Sequence, residues 1–152
     1  MSSSSARYLL DLNALIALVD VDHVHYRSIQ RWFDATGNED WGLCPLTEAG
    51  FVRVTTNPAY CGVTRTIAQA TAMLAELASH PGCRYWPMTE SWSSLTAPFV
   101  SRIFGHQQIT DAYLLGLAIK NDAALATLDK AVPFMAGQKY QQHVCLLEQP
   151  SS

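Results

Sequence analysis

Two aspartates stand directly after apolar segments that are typical of buried strands. Asp11 follows residues 8–10, and Asp129 follows residues 125–128. The carboxyl ends of parallel strands share one edge of an open sheet, and ligands bind at that edge. We therefore expect these two carboxylates to lie near each other despite their separation along the chain.

Two further acids stand near the predicted starts of helices. Glu48 follows Thr47 in the helix after the second strand, and Asp111 follows Thr110 at the start of a strongly apolar helix. A helix that follows a strand in this architecture begins at the carboxyl edge of the sheet, which places Glu48 at that edge. Asp111 joins the group if the start of its own helix faces the same edge, and four carboxylates then converge.

Convergent carboxylates predict a divalent cation. Buried unpaired charges cost several kcal/mol each, and Mg²⁺ and Mn²⁺ relieve that cost because they prefer oxygen ligands. Such an ion binds phosphate oxygens, activates a water molecule as a nucleophile and stabilises the leaving oxygen, and two ions can form a clamp. The chemistry that the four acids indicate is hydrolysis of a phosphodiester bond.

Each acid also has a structural explanation that involves no metal. Asp111 could complement the dipole of its helix, Glu48 could act in a capping box or remain solvated, and Asp129 could cap a following turn. Asp11 is the hardest to explain in this way, because Asn13 already offers a cap for the next helix. The signal is therefore the ordered set of four rather than any one acid.

The elements that must position these acids alternate between strands and helices. Apolar runs bounded by turn residues predict five strands, at residues 7–10, 41–44, 83–86, 123–128 and 144–147. Helical spacing predicts helices at residues 14–19, about 24–34, 45–57 and 109–119, and one interrupted by Pro98 at 92–104. A further helix opens at Thr64 or Thr66 and ends near residue 80, with one apolar face made of Ile67, Ala70, Met73, Leu74 and Leu77. This alternation is typical of an α/β domain with a parallel sheet and helices on both faces.

The composition fits one domain without a broad basic surface. The chain has 152 residues, 49% of them apolar and only 15% charged, with a net charge of −3. The low charge content hints that a partner covers part of the surface, and any contact with nucleic acid must be local or helped by cations. The four cysteines show no CxxC or zinc-ligand spacing, which indicates reduced thiols and a cytoplasmic protein. The first six residues lack the features of a signal peptide, and no apolar run is long enough to span a membrane.

The motifs resemble those of PIN-domain proteins, and most closely those of the VapC toxins of VapBC toxin–antitoxin pairs. The resemblance extends from about residue 7 to residue 147. It is carried by LLDLNALIAL at residues 9–18, DHVH at 22–25 with Trp32-Phe33, CPLTEAGFVR at 44–53 with TNP at 56–58, TDAYLLGLA at 110–118 and LATLD at 125–129. It implies a PIN-like three-layer sandwich with a mostly parallel sheet of about five strands. It also implies an endoribonuclease that uses Mg²⁺ or Mn²⁺, a homodimer, and a cognate VapB-type antitoxin that blocks the site.

The same resemblance assigns the site residues. Asp11, Glu48, Asp111 and Asp129 match the acidic metal site, with Asp11 and Asp111 as the expected direct ligands. Glu48 and Asp129 would bind the metal directly or through water. By the same match, Asn13 and Thr127 are secondary candidates as polar neighbours of the ligands. Arg53, five residues after Glu48, is a further candidate from the sequence itself, as a partner of an acid or of RNA, with a surface or structural salt bridge as the alternative. We expect a leader at residues 1–6, the PIN domain at 7–148 and a tail at 149–152.

Other residues invite a functional interpretation as well. His23 and His25 are expected to make local hydrogen bonds at a helix start, whereas His106 could approach a substrate phosphate. The aromatic side chains are expected to pack in the core or an interface rather than stack on bases; they are Trp32, Phe33, Trp41, Trp86 and Trp92. Three alternatives remain for the function: a phospho-receiver domain, a catalytically silent PIN-fold scaffold, and a related nuclease that cuts DNA. The phospho-receiver lacks support because no lysine follows the last strand.

Overall fold

The computed structural model describes residues 6–61 and 64–147 and has a five-stranded sheet at its centre. The strands are β1 (Tyr8–Leu10), β2 (Trp41–Leu43), β3 (Cys83–Tyr85), β4 (Ala124–Thr127) and β5 (Val144–Leu146). They lie in the order β3-β2-β1-β4-β5, and each neighbouring pair is parallel. The five predicted strands and their parallel arrangement are confirmed. The predicted tail lies outside the described residues, as does the predicted leader except for Ala6.

Helices connect successive strands. The α-helices are α1 (Leu12–Val19), α2 (Tyr26–Ala35), α3 (Pro45–Thr55), α4 (Pro58–Cys61), α5 (Ile67–Ala78), α6 (Trp92–Thr96), α7 (Ile109–Lys120) and α8 (Ala131–Ala136). Short 3₁₀ segments lie at Gly37–Glu39, Ala97–Arg102, His106–Gln108 and Gln138–His143. Proline stands at the first position of α3, where its missing N–H costs nothing. None of the helices in the described part of the chain is long and apolar enough to cross a membrane.

Two hydrophobic cores cover the two faces of the sheet. Leu9 packs with α7, whereas its neighbour Leu10 packs with α1 and α3, because successive strand residues point to opposite faces. Leu125 and Ala126 of β4 divide between the same two cores. The protein is therefore a three-layer sandwich, as the sequence predicts, and Asp11 and Thr127 continue the strand alternation toward the α7 face.

The expected role of the aromatic side chains is confirmed. Trp41 and Trp86 are buried, and Trp32, Phe33 and Trp92 are half-buried against the cores. Trp86 lies so close to β2 that a Cβ on Gly42 would overlap the Trp86 indole ring. Glycine is therefore required at this position by the close approach of the ring.

Three sequence expectations differ from the structure. Asn13 does not cap α1; it is exposed inside the helix, and Asp11 is the N-cap. Ile67 does not lie on the buried face of α5, since 67% of it is exposed at the first turn while Ala70 and Leu74 are buried. The helix α8 and the 3₁₀ segment after it were not predicted, because Pro133 and Gly137 interrupt any helical spacing there.

The cysteines Cys44, Cys83 and Cys145 are free thiols, and Cys44 is buried.

Candidate active site

Asp11 stands where β1 ends and α1 begins, and both of its carboxylate oxygens have protein donors. Oδ1 accepts a hydrogen bond from the Ala14 backbone N–H at 2.8 Å, which is the N-cap bond of α1. Oδ2 accepts a short hydrogen bond from the hydroxyl of Thr127. Only 2% of Asp11 is exposed, so its position and orientation are fixed by two independent elements.

Thr127 links the two aspartates at the strand ends. It is the last residue of β4 and fully buried, and its hydroxyl oxygen also accepts a hydrogen bond from the Asp129 backbone N–H at 3.0 Å. Asp129 in turn accepts from the Ala131 backbone N–H through Oδ1 at 2.9 Å, which caps the following turn. The cap that we gave as the alternative for Asp129 is therefore present, while the residue remains connected to Asp11.

Asp111 lies in the first turn of α7 and is half-buried. Its pKa is raised from 3.8 to about 7. Burial is the main cause, and the negative charges of Asp11 and Asp129 also contribute. Burial also raises the pKa of Asp11 to about 6; the hydrogen bonds from Thr127 and Ala14 oppose this rise, and the charge of Asp129 adds to it. Asp11, Asp111 and Asp129 are therefore brought together as three mutually repelling carboxylates at one edge of the sheet.

Glu48 has a different electrostatic neighbour. It lies half-buried in the first turn of α3, at the carboxyl edge, as the sequence predicts. Burial raises the pKa of the Cys83 thiol to about 11, and the charge of Glu48 contributes to that rise. The membership of Glu48 in a site with the other three acids stays a prediction.

The secondary candidates divide in the same way. Thr127 is a direct partner of Asp11, whereas Asn13 is exposed one residue inside α1. Arg53 is exposed in the last turn of α3, at the opposite end of that helix from Glu48. The ion pairs within residues 6–61 and 64–147 join Arg7 to Asp40 and Lys120 to Glu90, so neither includes Arg53.

The three histidine expectations have mixed support. The His25 backbone N–H donates to His23 Nδ1 at 3.1 Å just before α2, so the expected local hydrogen bonding is confirmed for His23. The buried Nδ1 of the His25 ring has no hydrogen-bond partner among the described residues, so the expectation is not met at that atom. His106 is exposed in the 3₁₀ segment that leads into α7, and its approach to a phosphate stays a prediction.

The donor set suits a hard divalent cation. Asp111 and Asp129 offer carboxylate oxygens, and each Asp11 oxygen keeps a second lone pair beyond its protein donor. Within residues 6–61 and 64–147, no three His, Cys, Asp or Glu side chains are arranged to hold an ion by themselves. Water molecules would therefore complete the coordination, as is usual for Mg²⁺.

Comparison with known proteins identifies the family. The model of the PIN domain matches residues 8–136. Ribonuclease VapC38 of Mycobacterium tuberculosis strain H37Rv is 42% identical over 139 residues, which cover 91% of this chain and 96% of the relative. The chain belongs to the PIN-domain family, among the VapC ribonucleases. Another VapC relative from the same strain, Ribonuclease VapC39, is 37% identical over 124 residues and covers 82% of this chain and 89% of its own. The resemblance found in the sequence is confirmed, and the phospho-receiver alternative is excluded.

Solved PIN-fold structures share the architecture of this VapC chain. The structure of FitAB bound to an IR36 DNA fragment matches with a TM-score of 0.64 at 17% identity, over 95% of this chain and 98% of that one. VapBC2 of Rickettsia felis, bound to a DNA fragment from its promoter, matches with a TM-score of 0.60 at 12% identity, over 93% and 98%. At these identities the comparison establishes the fold.

Proposed function

We propose that this VapC chain is the toxin of a toxin–antitoxin pair and hydrolyses RNA phosphodiester bonds with the help of Mg²⁺ or Mn²⁺. The observation that carries the proposal is the cluster of Asp11, Asp111 and Asp129 at the carboxyl edge of the sheet. Two of the three have pKa values raised to about 6 and about 7. The names of the VapC relatives add the substrate class, which is RNA.

The chain's own residues prepare the site for a phosphodiester. Ala14 and Thr127 hold the Asp11 carboxylate in one orientation, and Asp111 is supplied by the first turn of α7, the helix that covers this face of the sheet. A bound divalent cation would supply a Lewis acid for the phosphate oxygens and lower the pKa of a water molecule. Burial is the main cause of the raised pKa values of Asp11 and Asp111, and a bound cation would offset the cost of keeping these buried carboxylates charged. Glu48 is proposed as a further acid at the same edge.

The proposal includes protein partners. A VapB-type antitoxin and a second copy of the chain are expected to cover part of the surface, in line with the low fraction of charged residues. Large apolar side chains are exposed in the described structure, including Val21 at 68%, Val24 at 83% and Phe104 at 77%. The solved PIN-fold neighbours include complexes named FitAB and VapBC2, which supports the antitoxin. Action on cellular RNA would place the protein in the cytoplasm.

The test is cleavage of total cellular RNA by the purified toxin, separated from any antitoxin. Reactions contain Mg²⁺ or Mn²⁺, with EDTA and the variant Asp11→Asn as controls and single-stranded DNA as the competing substrate. Discrete RNA fragments that disappear in both controls support the proposal. Folded, metal-supplied protein that leaves RNA intact would transfer support to a silent scaffold, and preferential cleavage of the DNA would indicate a deoxyribonuclease.

A further inference from the structure

A cavity of about 390 Å³ lies beside the first turn of α7, and one of its lining residues is Thr110, the chain neighbour of Asp111. Four parts of the chain contribute its walls: the start of α3, the segment that follows β3, the start of α6, and the first turns of α7. The side chains that line it are Leu46, Met88, Trp92, Ile109, Thr110 and Tyr113. None of these residues has a role in the site described above.

The first turn of α7 separates the cavity from the acids. Successive residues of an α-helix are rotated by about 100°, so Ile109 and Tyr113 face one side of α7 while Asp111 faces the other. Thr110 lies between them and is exposed at the mouth of the cavity. A polymer bound at Asp111 would therefore have to cross a single turn of α7 to reach the cavity.

The walls of the cavity are fixed by hydrogen bonds at their edges. The Trp92 indole N–H donates to the Ile109 carbonyl at 3.2 Å, which ties α6 to α7. The Tyr113 hydroxyl donates to the Glu90 carbonyl at 3.0 Å, and its oxygen keeps lone pairs that can accept another bond. Both rings are half-buried against the core, so their orientation does not depend on a ligand.

We propose that this cavity binds one unpaired nucleobase of the RNA substrate, close to the phosphate that is cleaved. The inference rests on the proposed ribonuclease function and adds a specificity subsite to it. Two aromatic rings and the thioether of Met88 suit a flat, polarisable group, and single-stranded RNA is bound mainly by stacking of unpaired bases on aromatic side chains. Thr110 and Tyr113 supply polar atoms at the rim that can contact the edge of the base.

Continuity with the acid cluster favours a nucleobase over a protein side chain as the occupant. The acids and the cavity flank the same turn of α7, so a nucleotide whose phosphate reaches Asp111 carries a neighbouring base toward Trp92. Stacking on one aromatic side chain contributes enough to be measured, since its removal weakens binding by roughly 5- to 150-fold per base. Trp92 is thus assigned as a specificity-determining residue.

The experiment scans an abasic nucleotide through a short oligoribonucleotide that spans the most frequent cut site mapped on total RNA. We expect one abasic position near the cut to lower kcat/KM by roughly 5- to 150-fold in the wild type. The penalty should persist in Trp92→Phe, which keeps a stacking ring, and disappear in Trp92→Leu. Met88→Ala provides a second variant that leaves the Trp92 hydrogen bond in place and should also reduce the penalty. Tyr60→Leu, at an exposed aromatic on α4, is the matched control and should keep the full penalty.

The possible outcomes separate the two proposals. If the unmodified oligonucleotide is not cut in the presence of Mg²⁺ or Mn²⁺, the ribonuclease proposal fails and this inference fails with it. If it is cut but every abasic position is tolerated, or the penalty is equal in the wild type and both cavity variants, the nucleobase subsite alone is refuted. A change of oligomeric state in Trp92→Leu, with an unaltered abasic profile, would instead assign the cavity to a second copy of the chain.

Discussion

Replacing Asp111 by asparagine should stabilise the metal-free protein at neutral pH. In the folded state the pKa of Asp111 is about 7, whereas the ordinary value is 3.8. The folded protein therefore holds this proton more tightly than the unfolded chain does. The stability contributed by the protonated carboxyl is complete below pH 4 and is lost as the pH rises toward 7. Because an asparagine side chain carries no charge at any pH, the variant avoids this loss.

The magnitude follows from the two pKa values. One pKa unit corresponds to about 1.4 kcal/mol, so the rise from 3.8 to about 7 corresponds to roughly 4 kcal/mol of unfolding free energy. Asp11, with a pKa of about 6, contributes a further loss in the same pH range. The two losses are coupled, because the charge of Asp11 contributes to the raised pKa of Asp111, and so they do not add.

The assay is urea unfolding of the wild type and Asp111→Asn in EDTA at pH 4 and pH 8. We subtract the unfolding free energy of the wild type from that of the variant at each pH. This difference should be larger at pH 8 than at pH 4 by up to about 4 kcal/mol. Adding Mn²⁺ at pH 8 should stabilise the wild type and have a smaller effect on the variant. A pH-independent difference, or a wild type that gains stability relative to the variant as the pH rises, would refute the assignment of Asp111 to a cluster of repelling carboxylates.

Three further substitutions test other parts of the site and the fold. Thr127→Val keeps the shape of the side chain but removes the hydroxyl that donates to Asp11. The unfolding free energy measured in urea should fall by about 1–3 kcal/mol, and the Mn²⁺ affinity measured by calorimetry should fall by about 10- to 100-fold. Unchanged values would show that Thr127 does not position Asp11. Glu48→Gln should lower kcat/KM by about 10- to 100-fold at an unchanged Tm, whereas full activity would remove Glu48 from the site. Gly42→Ala should lower the stability by about 1–3 kcal/mol, because the added Cβ would overlap the Trp86 ring. Gly105→Ala is the control and should be nearly neutral, because its added Cβ would meet no neighbouring atom within 4 Å. Equal Tm values for the two variants would contradict this reasoning.

The strands and the carboxyl edge were predictable because local patterns specify them. Short apolar runs that end at an aspartate are visible without any tertiary information, and the parallel arrangement follows from alternation with helices. The position of Asp129 near Asp11 follows from the same rule, since each stands just after the end of one of two neighbouring strands. Thr127 was predictable only as a polar neighbour of the site.

The remaining features depend on contacts between distant segments. Asn13 has the residue type of a helix cap, but Asp11 already supplies the cap bond to Ala14. Ile67 has the correct spacing for the buried face of α5, yet the first turn of that helix extends beyond the core, and 67% of the side chain is exposed. The direction of the Glu48 carboxylate and the cavity beside Trp92 depend on how α3, α6 and α7 pack, which helical periodicity does not encode.

The most direct test of the metal-dependent ribonuclease assignment is the initial rate of cleavage of one defined oligoribonucleotide across a titration of Mn²⁺. The wild type and Asp111→Asn are compared, starting from EDTA-treated protein. We expect no cleavage without the metal, a saturable rise for the wild type, and at every Mn²⁺ concentration a rate for the variant that is lower by more than about a hundredfold. Cleavage in EDTA at the full rate, or equal titration curves for the two proteins, would contradict the assignment of the carboxylate cluster as the catalytic centre.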